Sequence, residues 1–288
     1  MGVSLKTGAF VDLHVHTTCS DGTLTPEEVV QKAAKEGIQV LAITDHDEVE
    51  GIQRAKKEAK KHKIRIVSGI ECSTDFQGGN LHILGLNVNP SEKSLKQLVL
   101  RCQIGRIDKI KKSLELLKNL GINLSFEDVE KYSPFGAMGR PHIARAMMEN
   151  GYVSSVEEAF DKYLGKGKPA YAVGRKTTPE EAIQVIKKAK GIPILAHPYQ
   201  MNFPSIEETL KKVESLVEIG LQGVEAIYPE HTQEQTYELI RFACMHNLYV
   251  TAGSDFHGNN KVNKLGYCLE NKEKLTWTTL GIIGKTII

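Results

Sequence analysis

The chain has 288 residues, of which 41% are hydrophobic and 25% are charged, as in a globular protein with one large domain or a domain that carries an insertion. Its 37 lysines and arginines against 35 aspartates and glutamates give a formal net charge of +2. That charge excludes a global field strong enough for bulk binding of nucleic acid or membranes, so an anionic ligand needs a local site.

The five cysteines are scattered and contain no C-x-x-C pair, so we expect neither a disulfide framework nor a thiolate zinc site. No apolar run approaches transmembrane length, and the N-terminal segment lacks the basic and apolar regions of a secretory signal. We therefore expect a cytoplasmic protein without a membrane partner, and the sequence implies no protein partner.

In chain order, short apolar runs alternate with amphipathic helical stretches, a pattern typical of βα units around a parallel sheet. Strands are predicted at Val11, Val40, Ile64 and Leu81, with a helix TPEEVVQKAAKEG after the first and a lysine-rich helix from about Val49 after the second. Helix starts are marked by a hydroxyl residue three positions before a Glu, at Thr25, Thr178 and Ser205.

After LHILGLN the alternation stops, and residues 92–177 contain only helical patterns and loops, beginning with a long helix over 93–120. We expect a helical insertion there, within a discontinuous barrel formed by residues 1–91 and 178–288. The βα rhythm resumes with strands at Ile192, Gly223 and Tyr249. Seven strands predict an α/β fold, a β/α barrel one strand short of the eightfold form. The apolar tail TTLGIIGKTII has no functional interpretation.

In a β/α barrel, reactive side chains lie at the carboxyl ends of the strands. The sequence places polar residues at the ends of five predicted strands: His14 and His16, Asp45 and His46, Glu71, His197, and Asp255 and His257. His82 lies near the start of its strand and breaks the rule. His62 and His246 precede strands, so we expect them on the opposite, structural face.

His14 and His16 are separated by one residue on a strand, so both imidazoles point to one face. Asp255 and His257 repeat this spacing on another strand, and converging nitrogen and oxygen donors suit a divalent ion. Glu71 ends an apolar strand, where a buried carboxylate needs a cation or a hydrogen-bond partner. Asp21, in CSDG, is a candidate ligand or a turn residue.

The motifs DLHVHTTCSDGT, AITDHD, GIECST, LHILGL, AHP and GSDFH resemble, in this order, the polymerase and histidinol phosphatase (PHP) family. The similarity covers about residues 11–87 and 192–258 and implies a distorted seven-stranded β/α barrel with a trinuclear metal centre. The inserted segment with GRPHIARAM is similar to the branch that contains nucleoside 3',5'-bisphosphate phosphatases and 5'-to-3' exoribonucleases acting on short RNA.

The resemblance implies three divalent ions, manganese, iron or zinc, with Glu71 as a bridging ligand and with Glu71 and Asp255 as catalytic residues. The implied ligand sets are His14, His16, Glu71 and Asp255; Asp21, His46 and His257; and Glu71, His82 and His197. Many members carry a histidine where Asp21 stands, which shifts the expectation towards manganese or iron. Clustered divalent cations lower the pKa of a bridging water, so hydroxide is available near neutral pH.

Candidate substrate residues lie in the predicted insertion and after the sixth strand. Arg140 and His142 open a predicted helix, where a guanidinium and exposed amides can bind phosphate, and the resemblance favours this over an ordinary surface position. Residues of the loop that closes the insertion either hold a base or a second phosphate or are solvated: Lys168, Tyr171, Arg175 and Lys176. His231 is a proton donor to the leaving group or a hydrogen-bonded loop residue.

The leading hypothesis is metal-dependent hydrolysis of phosphate esters of nucleotides, namely a nucleoside 3',5'-bisphosphate, an AMP-like compound or a short 5'-phosphorylated RNA. The moderate net charge favours small or short substrates. A histidinol-phosphate phosphatase would share the metals. An amidohydrolase-type deaminase or amidase also uses H-x-H, but the fourth strand has no terminal lysine. A metal-holding structural module is the non-enzymatic alternative, although structural sites are usually closed and four-coordinate.

Overall fold

The computed structural model describes residues 10–76, 78–132, 138–172, 174 and 177–266. Arg175, Lys176 and the apolar C-terminal tail lie outside these ranges. Within the described ranges, no helix combines the length and the apolar character needed to cross a bilayer.

Seven strands form one sheet in which each strand pairs with the next along the chain. They are β1 (Phe10–Asp12), β2 (Ile38–Ile43), β3 (Arg65–Ser73), β4 (His82–Leu86), β5 (Ile192–Leu195), β6 (Gly223–Ile227) and β7 (Tyr249–Ala252). A bridge between Val15 and Phe256 joins the two edges, which makes a nearly closed, distorted β/α barrel. The predicted number of strands is confirmed.

The βα pattern typical of a parallel sheet does not extend to β4, which runs antiparallel to both β3 and β5. Only residues 74–81 connect β3 to β4, whereas a parallel crossover needs a dozen residues or more. The reversal also explains the position of His82. Because β4 is inverted, its first residue lies at the same edge of the barrel as the carboxyl ends of the neighbouring strands.

Nine α-helices occur within the described ranges. They are α1 (Pro26–Glu36), α2 (Gly51–His62), α3 (Lys93–Asn119), α4 (Phe126–Glu130), α5 (Arg140–Glu149), α6 (Val156–Ala159), α7 (Pro179–Lys188), α8 (Ile206–Glu218) and α9 (Gln233–Met245). A π-helical turn spans Phe160–Leu164, and 3-10 turns span Pro198–Met201 and Gly258–Asn260. Thr25 forms the predicted capping box with Glu28 at the start of α1.

Helix α3 connects two separate apolar cores. Its first turns bury Leu95 and Leu98 in the core of the barrel, and its last turns bury Leu114 and Leu117 in a second core built from α3 to α6. At 1.5 Å per residue, its 27 residues span about 40 Å. On this basis we propose residues 92–177 as an insertion between the barrel segments 1–91 and 178–288.

Candidate active site

The ends of the barrel strands bring the nine predicted metal ligands into one pocket. They are His14, His16, Asp21, His46, Glu71, His82, His197, Asp255 and His257. Parallel strands deliver eight of them from carboxyl ends or the loops that follow, and the inverted β4 delivers His82 from its first residue.

Glu71 lies at the centre of the pocket, and its two carboxylate oxygens contact five imidazoles. Oε2 lies 3.3 Å from His14 Nε2, 3.1 Å from His16 Nε2 and 3.0 Å from His46 Nδ1, and Oε1 lies 2.9 Å from His82 Nδ1 and 3.0 Å from His197 Nε2. The side chain is 1% exposed. A carboxylate with this many nitrogen neighbours on both oxygens has the geometry of a bridge between cations.

Asp255 is the second buried carboxylate of the pocket. Its Oδ1 lies 3.5 Å from His14 Nε2 and 3.3 Å from His16 Nε2. Its Oδ2 accepts the hydroxyl of Tyr228 at 2.9 Å and pairs with the ammonium of Lys261. One oxygen is therefore held in place by hydrogen bonds while the other faces the imidazoles.

Three groups of donor atoms are close enough to hold one ion each. They are His14, His16, Glu71 and Asp255; His16, Asp21, His46 and His257; and His46, Glu71 and His82. The first coincides with an implied ligand set, and the second adds His16 to another. His197 is outside the third group, although its Nε2 lies 3.0 Å from Glu71 Oε1. The assignment of individual ligands stays a prediction.

The donor set fits divalent cations. Four buried side-chain atoms of the pocket make no hydrogen bond of acceptable geometry among the described residues: Glu71 Oε2, Asp21 Oδ1, His46 Nδ1 and His197 Nδ1. Glu71 Oε2 and His46 Nδ1 lie 3.0 Å apart, but the two atoms are not aligned for a hydrogen bond. Such atoms are costly to bury unless a cation satisfies them. Imidazole nitrogens mixed with carboxylate oxygens suit zinc, iron and manganese alike.

The electrostatics of the pocket keep its carboxylates ionised, whereas its imidazoles differ. Neighbouring carboxylates outweigh burial and raise the pKa of His14 and His46, so these two side chains must lose a proton when an ion binds. Burial opposes ionisation of Glu71, but neighbouring imidazoles, His46 foremost, outweigh it and hold the pKa of that carboxyl well below its usual range. Burial of Asp255 is likewise outweighed by Lys261, so its pKa is also low. Burial lowers the pKa of His16 to about 4. Ionised carboxylates and a neutral imidazole are the forms that coordinate metals.

Glu225 on β6 supports the pocket and was missed by the sequence analysis. The residue is fully buried, and its oxygens lie 3.0 and 3.2 Å from His14 Nδ1. Its Oε2 also accepts the backbone N–H of His197 at 2.8 Å. A neutral His14 that donates its Nδ1–H to Glu225 would present its Nε2 lone pair to the pocket. The sequence carried the same signal for Glu225 as for Glu71, namely a carboxylate within an apolar strand, here VEAIY.

We expect Glu225→Gln to lower metal affinity or kcat/KM by roughly 10-fold to 100-fold, because partners that orient a ligand contribute that much. The measurement is kcat/KM across a metal titration, with Glu218→Gln as the exposed control on α8. Excess metal should restore part of the lost activity. A change in kcat/KM and metal affinity below about twofold would show that Glu225 does not position His14 for metal binding.

The loops around the pocket are held by buried hydrogen bonds, and several of their residues have unusual backbone angles. Asp45 accepts the backbone N–H and hydroxyl of Thr17 and the hydroxyl of Ser20, and so anchors the loop that leads to Asp21. Asp47, His197 and Asp255 adopt positive φ angles of 52°, 27° and 51°. Non-glycine residues in this region store local strain, which is common at functional sites.

A cavity of about 290 Å³ extends from the metal ligands into the insertion. Asp21, His46 and His82 line one end. Three cationic side chains line the rest: Arg106 and Lys109 from α3 and Arg140 from α5. Sequence reasoning missed Arg106 and Lys109, because a basic residue inside a long amphipathic helix carries no signal that it faces a cavity.

Arg140, which opens α5, is one of the residues that line this cavity. Its guanidinium stands 5.0 Å from the ring centre of Tyr171 and 5.7 Å from that of Phe160, and it donates to the carbonyl of Leu164 at 3.1 Å. His142 is buried, and its Nδ1 accepts the N–H of Gly139, which caps α5.

Three other predicted residues lie away from the cavity lining. Lys168 is exposed. His62 pairs with Glu58 on α2, and His246 stacks on Phe242, as expected for residues outside the site.

His231 is buried behind Tyr228 and Tyr199, with ring centres 5.2 and 5.1 Å away. Its Nδ1–H donates to the carbonyl of Ala226 at 3.0 Å, and burial lowers its pKa to about 4. A neutral imidazole outside the cavity lining matches the hydrogen-bonded alternative better than a proton donor, and its proposed catalytic role stays a prediction.

Similar proteins identify the family. A model of the PHP domain matches residues 12–192. The chain is 34% identical over 249 residues to a 5'-3' exoribonuclease of Haemophilus influenzae, covering 85% of this chain and 89% of that protein. It is 32% identical over 252 residues to a 3',5'-nucleoside bisphosphate phosphatase of Chromobacterium violaceum, covering 86% and 87%.

Solved structures agree on the fold. One from Bifidobacterium adolescentis, provisionally described as a metal-dependent phosphoesterase, superposes with a TM-score of 0.82 at 28% identity, covering 98% of this chain and 99% of that one. Another, described as an amidohydrolase from Chromobacterium violaceum with bound sulfate, has a TM-score of 0.80 at 29% identity, covering 93% and 91%.

A barrel whose mouth gathers buried imidazoles and carboxylates around a cavity with basic walls defines a metal-dependent hydrolase of anionic substrates. The chain belongs to the PHP family. It is a hydrolase of phosphoric esters that works with divalent metals.

Proposed function

We propose that this protein hydrolyses a phosphate ester of a nucleoside 3',5'-bisphosphate, an AMP-like nucleotide or the end of a short 5'-phosphorylated RNA. The observation that carries the proposal is the single cavity that joins Asp21, His46 and His82 to a wall formed by Arg140 and Tyr171. A nucleotide would use both parts of this lining. Its phosphate ester would lie at the metal ligands, and its base or second phosphate would contact Arg140 and Tyr171. The relatives named as a bisphosphate phosphatase and an exoribonuclease support the same substrate class.

The proposed roles follow from the contacts of each side chain. Three divalent ions would be held by the nine ligands, with Glu71 shared between ions and Asp255 fixed by Tyr228 and Lys261. Bound ions supply hydroxide near neutral pH and neutralise charge on the phosphoryl oxygens. Water is consumed in either reaction. A phosphomonoester yields phosphate that carries the attacking oxygen, and the sugar alcohol takes up the proton. The terminal phosphodiester of an RNA yields a nucleoside monophosphate and a free hydroxyl group.

The walls of the cavity would orient the substrate. Arg140 is half-buried and stacked on Tyr171, so its guanidinium is preorganised to hold a phosphate or to lie against a base. The cavity volume of about 290 Å³ is at the lower end of the range for ligand pockets. A mononucleotide or one terminal nucleotide fits this size better than a long strand. His142, Arg175 and Lys176 remain proposed phosphate contacts.

Arg140→Ala should reduce kcat/KM for nucleotide substrates by roughly 10-fold to 100-fold, because a charged hydrogen bond contributes about 1.5–3 kcal/mol. Arg140→Lys should recover only part of the lost kcat/KM, since lysine lacks the planar stacking surface. Steady-state kinetics with Arg241→Ala, an exposed arginine on α9, provide the matched control. Equal kinetics for Arg140→Ala and Arg241→Ala would exclude Arg140 from substrate binding.

The test of the function is phosphate release from adenosine 3',5'-bisphosphate, AMP and histidinol phosphate, and release of mononucleotides or phosphate from a short 5'-phosphorylated RNA, with manganese and after chelation. Metal-dependent release from the nucleotides, above that from histidinol phosphate, is the expected result. Preferential release of phosphate from histidinol phosphate would contradict the proposed nucleotide substrate and indicate a histidinol-phosphate phosphatase.

Release from none of them despite bound metal would favour an amidohydrolase activity, as the description of the sulfate-bound structure suggests for that protein. Against this alternative, the carboxyl end of β4 is Leu86, which the inverted strand places at the opposite edge of the barrel. A lysine at that end could not reach the ions, and Glu71 already occupies the bridging position.

A further inference from the structure

The insertion reaches the metal pocket through two polar contacts, here called the Asp47 link and the Asn260 link. In the Asp47 link, the guanidinium of Arg106 on α3 pairs with Asp47 Oδ2. In the Asn260 link, Arg145 on α5 donates to Asn260 Oδ1 at 2.7 Å, and Asn260 Nδ2 donates to the backbone carbonyl of Asp21 at 2.6 Å.

The Asp47 link ends at the backbone that carries two proposed ligands. Asp47 directly follows His46, its N–H donates to the carbonyl of Glu71 at 2.9 Å, and its Oδ1 accepts the N–H of Ser73 at 3.0 Å. Asp47 is 5% exposed and has a positive φ. A buried carboxylate in a strained backbone depends on its cation, so Arg106 holds this turn in place.

The Asn260 link ends at the loop that carries Asp21. The side chain of Asp21 is 22% exposed, whereas those of Glu71 and Asp255 are 1% and 2% exposed. A ligand on a partly exposed loop depends more on the anchors of that loop than a ligand buried on a strand does. Asn260 supplies one such anchor, and Arg145 ties it to the insertion.

Only the donor group formed by His16, Asp21, His46 and His257 is reached by both links, through His46 and Asp21. The Asp47 link also touches the backbone of Glu71, a member of the other two groups. The group formed by His14, His16, Glu71 and Asp255 is braced from within the barrel instead, by Glu225 on β6 and by Tyr228. The two groups therefore differ in which part of the chain holds their ligands.

We infer that the insertion, besides lining the cavity, positions the ligands of this one group and so sets the affinity of the pocket for one of its ions. Arg106 and Arg145 are positioning residues in this scheme. The inference rests on the proposed ligand sets and extends the role of the insertion from substrate selection to assembly of the metal centre.

The test compares metal binding by the full-length protein with that of Arg106→Ala, Arg145→Ala and the double variant. Equilibrium dialysis against Mn²⁺ with metal analysis by mass spectrometry gives the number of ions and the affinity of each. We expect the ion of this group to bind roughly 10-fold to 100-fold more weakly in the double variant, and the other ions to be affected less. Arg145→Ala, which acts only on the Asp21 loop, should leave the other ions unchanged. Arg106→Lys, which keeps a cation beside Asp47, should restore part of the affinity.

Arg101→Ala is the matched control. Arg101 lies on the same helix and also joins the insertion to the barrel, through Glu181 of α7, but on the outside of the barrel and away from the ligands. The Arg101→Ala variant should bind all ions with wild-type affinity. Asn260→Ala removes an exposed side chain and provides a variant whose folding is at less risk than that of Arg106→Ala.

Unchanged binding in Arg106→Ala, Arg145→Ala and Asn260→Ala would overturn the inference. Equal weakening of every ion, or the same loss in Arg101→Ala, would overturn it as well, because the insertion would then act only through overall stability. Failure of the proposed function has a different signature. Wild-type protein that binds one ion or none, or that releases no phosphate, contradicts the metal centre itself.

Discussion

Replacing Glu71 by glutamine is expected to abolish turnover while the protein remains folded. Glutamine keeps the size of the side chain but loses its negative charge and offers one carbonyl oxygen where five imidazoles now meet two carboxylate oxygens. Metal ions contribute several kcal/mol to stabilisation of a phosphoryl transition state. A loss of about 4 kcal/mol corresponds to roughly 10³-fold in rate.

The measurement is kcat for phosphate release, together with circular dichroism and the metal content of the purified variant. Glu58→Gln is the matched control, because Glu58 is also a buried glutamate in a network of hydrogen bonds, with Gln31, Lys61 and His62, but lies on α2 outside the pocket. Near-normal activity of Glu71→Gln would contradict the proposed metal centre of three ions.

Removal of the metal should have the second largest effect, on both activity and stability. Ions that bind only the folded state stabilise it by about 4 kcal/mol when their concentration is 1,000 times Kd. For a chain of this length, that corresponds to a fall in Tm on the order of 10 °C on chelation. The buried carboxylates of Glu71 and Asp255 would then face one another with only imidazoles and Lys261 between them.

Thermal melts before and after dialysis against a chelator measure this effect, followed by addition of Mn²⁺, Fe²⁺ or Zn²⁺ and a count of bound ions. The ion that restores both Tm and turnover identifies the metal preference. Glu71→Gln should show a much smaller change in Tm, since it lacks the bridging ligand. Full activity in protein with less than one ion per chain would contradict a metal-based reaction.

Much of this pocket could be predicted from sequence because strand periodicity is a local property. The spacing of His14 and His16, repeated by Asp255 and His257, predicted each pair to converge. The pairs lie just beyond β1 and β7, on either side of the bridge between Val15 and Phe256. Strand ends in a β/α barrel meet at one edge, so local patterns were enough to bring residues more than 200 positions apart into one proposed site.

The features that sequence reasoning missed depend on tertiary packing. The direction of β4 is set by an eight-residue connection, over 74–81, that is too short for a crossover, a signal that was present but unused. Glu225 has the same apolar surroundings as Glu71, yet only the fold shows that it contacts His14. Arg106 resembles any other basic residue on α3, because no local pattern distinguishes a cation that faces a cavity from one that faces solvent.

The continuity of α3 also limits how the enzyme can move. The helix begins in the barrel core at Leu95 and ends in the second core at Leu117, with Arg106 at the level of the cavity between them. A hinge needs a few residues that can change their backbone angles freely, and an unbroken helix packed at both ends offers none. Hinge-type closure of the insertion onto the barrel is therefore blocked along α3.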